Sequence, residues 1–186
     1  MNEEIDIAAL QKGDEKAYQE LVKVFAKPIF NTCYYILQNK VEAEDLTQEI
    51  FLTVFQSITF FKGDSKLSTW IYRIAINKCH ELLRFKNRKK RLGIKIPIFD
   101  SLLEIKTEAP DEILHHDERR KVLFKAISKL PENQQIAYTL YNMDELSYQE
   151  IAESMNLSLS AIESLIFRAK QNLRKSLYEY YIINEL

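Results

Sequence analysis

Glycine and proline are scarce in this sequence, three and four residues among 186. A fold of many short strands needs Gly- and Pro-rich turns at regular spacing, so the scarcity argues against an all-β architecture and for helices. Cysteine is rarer still: Cys33 and Cys79 stand alone, with no CxxC and no Cys/His ligand spacing. That excludes a zinc-ribbon framework or a disulfide scaffold and leaves two structural thiols. No stretch approaches the roughly 18 consecutive apolar residues of a membrane span. The opening MNEEIDIAAL is acidic where a secretory signal would be basic. The expectation is a cytoplasmic chain without direct membrane insertion.

What is present is the balance of a globular protein, 46% hydrophobic and 28% charged residues. The net charge of −1 averages unlike segments. Residues 70 to 91 hold eight cations (Arg73, Lys78, Arg84, Lys86, Arg88, Lys89, Lys90 and Arg91) against Glu81 alone, whereas residues 92 to 117 hold two lysines against six acids. Such asymmetry points to a localised anionic partner that the overall charge conceals.

Helical spacing runs from about residue 5 to 91, with Tyr18, Leu21, Val22, Phe25 and Ile29, then Leu46, Ile50 and Val54, recurring at three and four. The segment FFKGDSKLS (60–68) interrupts it at Gly63, and helix resumes at Ser68–Thr69–Trp70. Gly93, Pro97 and Pro110 mark an irregular, acidic linker, and a second helical section begins near Glu118 with a break at Leu130–Pro131. The fold class is all-α: two small helical domains, residues 1–92 and 118–186, joined by a flexible linker over 93–117.

In the second section, SYQEIAESM sets Ser147 and Glu150 as a capping box that starts a helix. Asn156–Leu157–Ser158 makes a corner: Asn tolerates a left-handed conformation, Leu157 plugs the gap between helices, and Ser158 (or Ser160) caps the next one. Ile162, Leu165 or Ile166, Ala169 and Leu173 form the inner stripe of that next helix, and Ala152 allows close approach. This is helix-turn-helix spacing, although an ordinary αα-hairpin in a bundle has the same pattern. The outward residues Ser160, Ser164, Arg168 and Lys170 favour DNA, and the carboxylate of Glu163 can accept from cytosine N4 or can sit on a solvated face.

In the first section, WIYRIAINKCHELLRFKNRKKR places Trp70 and Tyr72 beside a helix with a basic side. Cations neutralise phosphates and aromatics stack unpaired bases, although Trp70 equally suits a core. Upstream, EAEDLTQEIFLTVF puts Glu42, Asp45 and Glu49 about one turn apart with Gln48 beside them. No His or Cys joins these carboxylates, so an acidic docking face is favoured over a metal or catalytic site. His80, His115 and His116 stand in basic or linker contexts.

Together these stretches resemble the extracytoplasmic-function (ECF) sigma factors of bacterial RNA polymerase, over nearly the whole length. AEDLTQEIFLTVF is similar to region 2.2, FKGDSKLSTWIYRIAINKCHELLR to regions 2.3 and 2.4, and LPENQQIAYTLYNMDELSYQEIAESMNLSLSAIESLIFRAKQNLRK to region 4. The resemblance implies a non-catalytic, cofactor-free initiation factor that binds core polymerase through the β′ clamp helices and the β flap and places promoter DNA. It implies core contacts for Asp45, Gln48, Glu49 and Phe51. Phe60, Phe61, Lys62, Gly63, Asp64 and Ser65 match the loop that pockets a flipped −10 base. Trp70, Arg73, Asn77 and Lys78 match its adjoining helix, and Arg84, Lys86 and Arg88 would hold nearby backbone. Ser160, Glu163, Ser164, Phe167 and Arg168 match the face that enters the −35 groove. An anti-sigma factor is implied as a further partner.

The sequence departs from the family pattern where many members carry Thr at 161, a basic residue at 163 and Arg at 165: here stand Ala161, Glu163 and Leu165. Fewer cations at the helix start imply a different base preference. The Tyr- and Ile-rich end, LYEYYIINEL, extends beyond the motif. Two other classes compete with the resemblance: a self-sufficient DNA-binding regulator, which leaves the motifs at 45–51 and 60–84 unexplained, and a metal-dependent enzyme built on Asp45 and Glu49, which lie on a regular helix face with no partner carboxylate or His in a matching motif.

Overall fold

The computed structural model describes residues 5–92 and 117–184. Among them are eight α-helices, one 3₁₀ turn and no strand. The linker signals Gly93, Pro97 and Pro110, together with His115 and His116, lie outside the described residues.

The first unit is a bundle of α2 (Glu15–Leu37), α3 (Lys40–Ser57) and α4 (Leu67–Arg91), with the short α1 (Ile7–Gln11) laid against one end. Its boundaries follow from side-chain caps. Asp14 accepts from the Ala17 amide at 2.8 Å to open α2, and Asn39 accepts from Glu42 at 3.1 Å to open α3. Between them Gln38 ends α2 in the left-handed conformation, φ 53°. Leu21, Ile29, Cys33 and Ile36 of α2 meet Ile50 and Val54 of α3 and Ile71, Ala75 and Cys79 of α4, all buried. Each large apolar side chain so placed contributes roughly 1.5–3 kcal/mol. Both thiols are free and buried, as the structural reading expects.

The second unit comprises α5 (Asp117–Ile127), α6 (Glu132–Asn142), α7 (Tyr148–Met155) and α8 (Leu159–Asn184). Pro131 precedes α6 where its missing N–H costs nothing. The Tyr- and Ile-rich end lengthens α8, which continues to Asn184.

The two units share a core. Ile136, Ala137, Leu140, Ile151, Ala152, Ile162 and Ile166 join the apolar cluster of the first unit, while Ala126, Ile127, Leu130, Ala169 and Leu173 form a smaller one beneath α5. Polar bonds cross the same seam. Gln135 donates to the Ile36 carbonyl at 2.8 Å, Gln38 to Phe124 at 2.6 Å, and Thr32 lies 2.9 Å from the Asp144 carboxylate. Periodicity fixes which side of each helix is apolar but not which helix covers it, so this docking was not legible in the sequence.

Candidate nucleic-acid interface

The helix-turn-helix forms as its local signals dictate. Ser147 and Glu150 make a reciprocal capping box at the start of α7. Asn156 takes φ 53° at the corner, and Ser158 accepts from the Ala161 amide at 3.2 Å, which settles the start of α8 on Ser158 rather than Ser160. Ile162 and Ile166, not Leu165, are the fully buried contacts. Leu157 is 38% exposed and does not plug the corner. The close approach of α7 and α8 is instead filled by Ala152, Ile151 and Ile162, and the Leu157 backbone N–H donates to the Ala152 carbonyl at 2.9 Å.

Ser160, Glu163, Ser164, Phe167 and Arg168 are all exposed and recur at three and four along α8, so they share one face. Phe167 is 63% exposed. Glu163, Ser164 and Phe167 line a cleft with Tyr148 and Lys170, and the Lys170 ammonium also sits 4.6 Å from the centre of the Tyr141 ring. An exposed aromatic among hydrogen-bonding side chains, at the free end of a second helix, has the make-up of a base-edge reader.

On the first unit, the end of the 3₁₀ turn (Ile58–Phe60) and the residue after it carry two aromatics with opposite fates. Phe60 is 78% exposed, whereas Phe61 is buried against Trp70, ring centres 5.4 Å apart. Gly63 follows at φ +79°, with Lys62 and Asp64 exposed beside it and Ser65 half-buried. A side chain would have room at Gly63, so it is the left-handed backbone that calls for glycine. Trp70 is half-buried and serves as the floor of the loop, which joins the two readings its sequence context allowed.

The cations of α4 are partly occupied. Lys78 pairs with Glu49 at 2.6 Å and Lys86 with Glu42, which ties α4 to α3. The Glu49 partner raises the Lys78 ammonium above its ordinary range. Arg73 donates through Nε and Nη2 to the Glu153 carbonyl of α7, at 3.3 and 3.0 Å. Lys66 meets Glu150 at 3.0 Å, and His80 and Arg84 both approach Glu132 of α6. Held by Lys66 and then by Ser147, the Glu150 carboxyl is pulled down to about 2. Asn77, Arg84 and Arg88 are exposed.

The candidate docking helix α3 turns Asp45, Gln48 and Glu49 outward. Phe51 faces the other way, 7% exposed, and its carbonyl accepts from the Tyr18 hydroxyl at 2.6 Å. The aromatic and aliphatic groups that accompany the acids outside are Phe55 and Leu52, 49% and 56% exposed, with Val41. Sequence reasoning passed over these three. Their signal was available: apolar residues at 41, 52 and 55 fall on the polar side of the helical period. Among the described residues, no group of three or more His, Cys, Asp or Glu could hold a metal ion, and no helix is long and apolar enough to cross a membrane.

A helix-turn-helix with an open recognition face, fused to a bundle bearing an aromatic loop on a basic helix, defines a two-headed nucleic-acid-binding type of protein. Residues 21–89 match Sigma-70 region 2 and residues 120–173 match Sigma-70 region 4. The chain is 32% identical to the ECF RNA polymerase sigma factor SigW of Bacillus subtilis over 176 residues, covering 92% of this chain and 94% of that protein. It is likewise 32% identical to the ECF RNA polymerase sigma-E factor of Escherichia coli K12 over 179 residues, 92% of each. In fold it is similar to CnrH in complex with the cytosolic domain of CnrY, with a TM-score of 0.69 at 21% identity over 93% of this chain and 95% of that one. The sigma factor RpoE in complex with the anti-sigma factor NepR, from Bartonella quintana, gives 0.67 at 19% identity over 88% and 98%. The chain belongs to the ECF family of RNA polymerase sigma factors.

Proposed function

We propose that this sigma factor works as a dissociable, non-catalytic specificity subunit in the cytoplasm, with its parts divided as follows. The outward face of α3, with Asp45, Gln48 and Glu49 and the neighbouring Leu52 and Phe55, docks on the β′ clamp helices of core polymerase. The Phe60–Ser65 loop, floored by Trp70, takes an unpaired base of the −10 element, while Asn77, Lys78, Arg84, Lys86 and Arg88 follow the strand. Ser160, Glu163, Ser164, Phe167 and Arg168 read the −35 element in the major groove, and the second unit rests on the β flap.

The observation that carries the reading is Phe60, a large aromatic left 78% exposed at the apex of a loop that is pinned from below by Phe61 on Trp70. An exposed aromatic on a fixed base, opening onto a basic helix, suits stacking of a single-stranded base next to its phosphates. Two weak readers on one chain gain through effective concentration once polymerase holds both. That is consistent with a net charge of −1.

The docking of the second unit on α4 gives this subunit a closed form, in which the Nε–Nη2 edge of Arg73 is taken up by the Glu153 carbonyl. An anti-sigma factor, as in the RpoE–NepR complex, would act by favouring such a form or by covering α3. Run-off transcription with purified bacterial core polymerase and a pool of randomised promoters tests the proposal. Transcripts that appear only with this protein, enriched for two spaced elements, are the expected result. No transcripts from a core that responds to a control sigma factor, or tight symmetric operator binding without polymerase, would overturn it.

A further inference from the structure

The short helix α1 has no part in the readings above, yet it touches the loop that does. Asp6 caps it by accepting from Ala9 at 2.9 Å, Leu10 is buried in the core of the first unit, and Gly13 at φ +79° turns the chain into α2. With its position so fixed, α1 holds the half-buried side chain of Gln11 against the end of the 3₁₀ turn. Gln11 Nε2 lies 2.7 Å from the Phe61 carbonyl oxygen and 3.4 Å from that of Ile58. A side-chain amide nitrogen carries two hydrogens, so both carbonyls can be served at once.

The loop has little else to hold it. The Phe61 N–H donates to Ile58 at 3.1 Å, and the next backbone bond is from Trp70 to Lys66. Among the described residues, the amides from Lys62 to Ser65 make no backbone hydrogen bond. Three anchors remain: the Phe61 ring on Trp70, the Lys66–Glu150 pair, and Gln11. The Lys66–Glu150 pair reaches across to α7 and is lost whenever the second unit leaves α4. Among the described residues, Gln11 then supplies the side-chain hydrogen bonds that stay with the loop, and it grips the residue next to Phe60.

We propose that Gln11 is a positioning residue for −10 recognition: by holding the Phe61 and Ile58 carbonyls it fixes the aim of Phe60 and the Lys62–Ser65 turn toward the unpaired base. This rests on the loop being the −10 reader. It gives the segment before region 2 a task in base selection although no residue of α1 need touch DNA.

The test uses the full chain in holoenzyme with purified core polymerase. Fluorescence anisotropy measures binding to single-stranded oligonucleotides carrying the selected −10 bases or each single-base replacement. Gln11→Leu, which keeps bulk and removes both donors, should lower discrimination at the loop-read position by about tenfold, the order expected for loss of part-buried hydrogen bonds. Discrimination elsewhere in the element and affinity for core should stay near wild type, while the thermal midpoint falls slightly for the two carbonyls left unpaired. Gln11→Lys returns N–H donors to the same carbonyls and should recover most of the ratio. A Gln11→Leu protein with undiminished discrimination overturns the proposal. So does one whose losses fall evenly on every position and on core affinity, since that is a general loss of stability. If the wild type discriminates at no position, the loop reading itself fails, an outcome separable from the others because it appears without any substitution.

Discussion

Thr32 and Asp144, 112 positions apart, meet at the seam between the two units with Thr32 Oγ1 2.9 Å from Asp144 Oδ2. The same Thr32 oxygen lies 3.0 Å from the Pro28 carbonyl. One hydroxyl hydrogen cannot serve both acceptors. If Asp144 is protonated, both contacts become hydrogen bonds: the carboxyl donates to Thr32, and Thr32 donates to Pro28. The surroundings favour that form, because burial pushes the Asp144 carboxyl up to about 7, against a smaller opposing effect of the Thr32 bond. Tyr72, Cys33 and Cys79 are the titratable groups that feel its charge.

This arrangement makes docking of the two units pH-dependent with a definite sign. Docking binds a proton that a solvated Asp144 would release, so docking is favoured below the ordinary carboxylate range and weakens as pH rises toward about 7. Across that window the slope approaches about 1.4 kcal/mol per pH unit. Small-angle scattering of the free protein should show a larger radius of gyration at pH 8 than at pH 5. Asp144→Asn keeps an acceptor and a donor for Thr32 without titrating, so its curve should be flat and compact. A wild-type profile that Asp144→Asn leaves unchanged would assign the transition to another group.

Arg73 is the second lever on the seam. Its side chain is committed to the Glu153 carbonyl at 3.0 Å in the docked form and is a candidate contact for the −10 strand once free. Arg73→Ala should therefore expand the free protein and also weaken single-strand binding by the holoenzyme, by roughly ten- to a hundredfold for loss of a charged hydrogen bond. Lys66→Ala, which breaks an ion pair whose lysine is 72% exposed, should leave docking nearly unchanged. Compactness unchanged by Arg73→Ala would make the Glu153 contact incidental.

On α3, Asp45 and Gln48 are exposed and the inward side of the helix is filled by Leu46, Ile50 and Val54. Replacing both outward residues with Ala should abolish association with core polymerase while changing folding stability by less than the ~0.5 kcal/mol typical of surface changes. Leu52→Ala with Phe55→Ala should weaken core binding in the same assay. Core affinity that survives the first pair but not the second would place the grip on the apolar residues.

These outcomes bear on how far the chain can be read without coordinates. Helix starts at Ser147 and Ser158 were open to reading because capping is local chemistry, settled by a side chain and an amide a few residues apart. The outward face of α8 was legible for a similar reason, since one helical period places 160, 163, 164, 167 and 168 together. Phe51 was harder: it is adjacent in sequence to outward residues, and only packing shows that it is buried while Leu52 and Phe55 are exposed. Gln11 and the Thr32–Asp144 contact join residues 50 and 112 positions apart, and no periodicity encodes a pairing at that distance.

Glu163 is the residue on which the opening ambiguity of the helix-turn-helix turns. It is exposed on α8, in a cleft with Ser164, Phe167 and Lys170. A carboxylate there accepts from cytosine N4, whereas a lysine in its place would donate to guanine O6 and N7. If Glu163 reads a base edge, Glu163→Lys should exchange cytosine for guanine at one −35 position, with a change in discrimination of about 1–3 kcal/mol. The other positions should keep their preferences, because Ser160, Phe167 and Arg168 are untouched. If Glu163 only faces solvent, the added positive charge should raise use of all templates together and steepen the salt dependence, as a new phosphate contact would. Run-off transcription from a pool randomised only in the −35 element, repeated at two salt concentrations, separates the two. A single inverted position identifies a base reader, and a uniform, salt-sensitive gain identifies a solvated face.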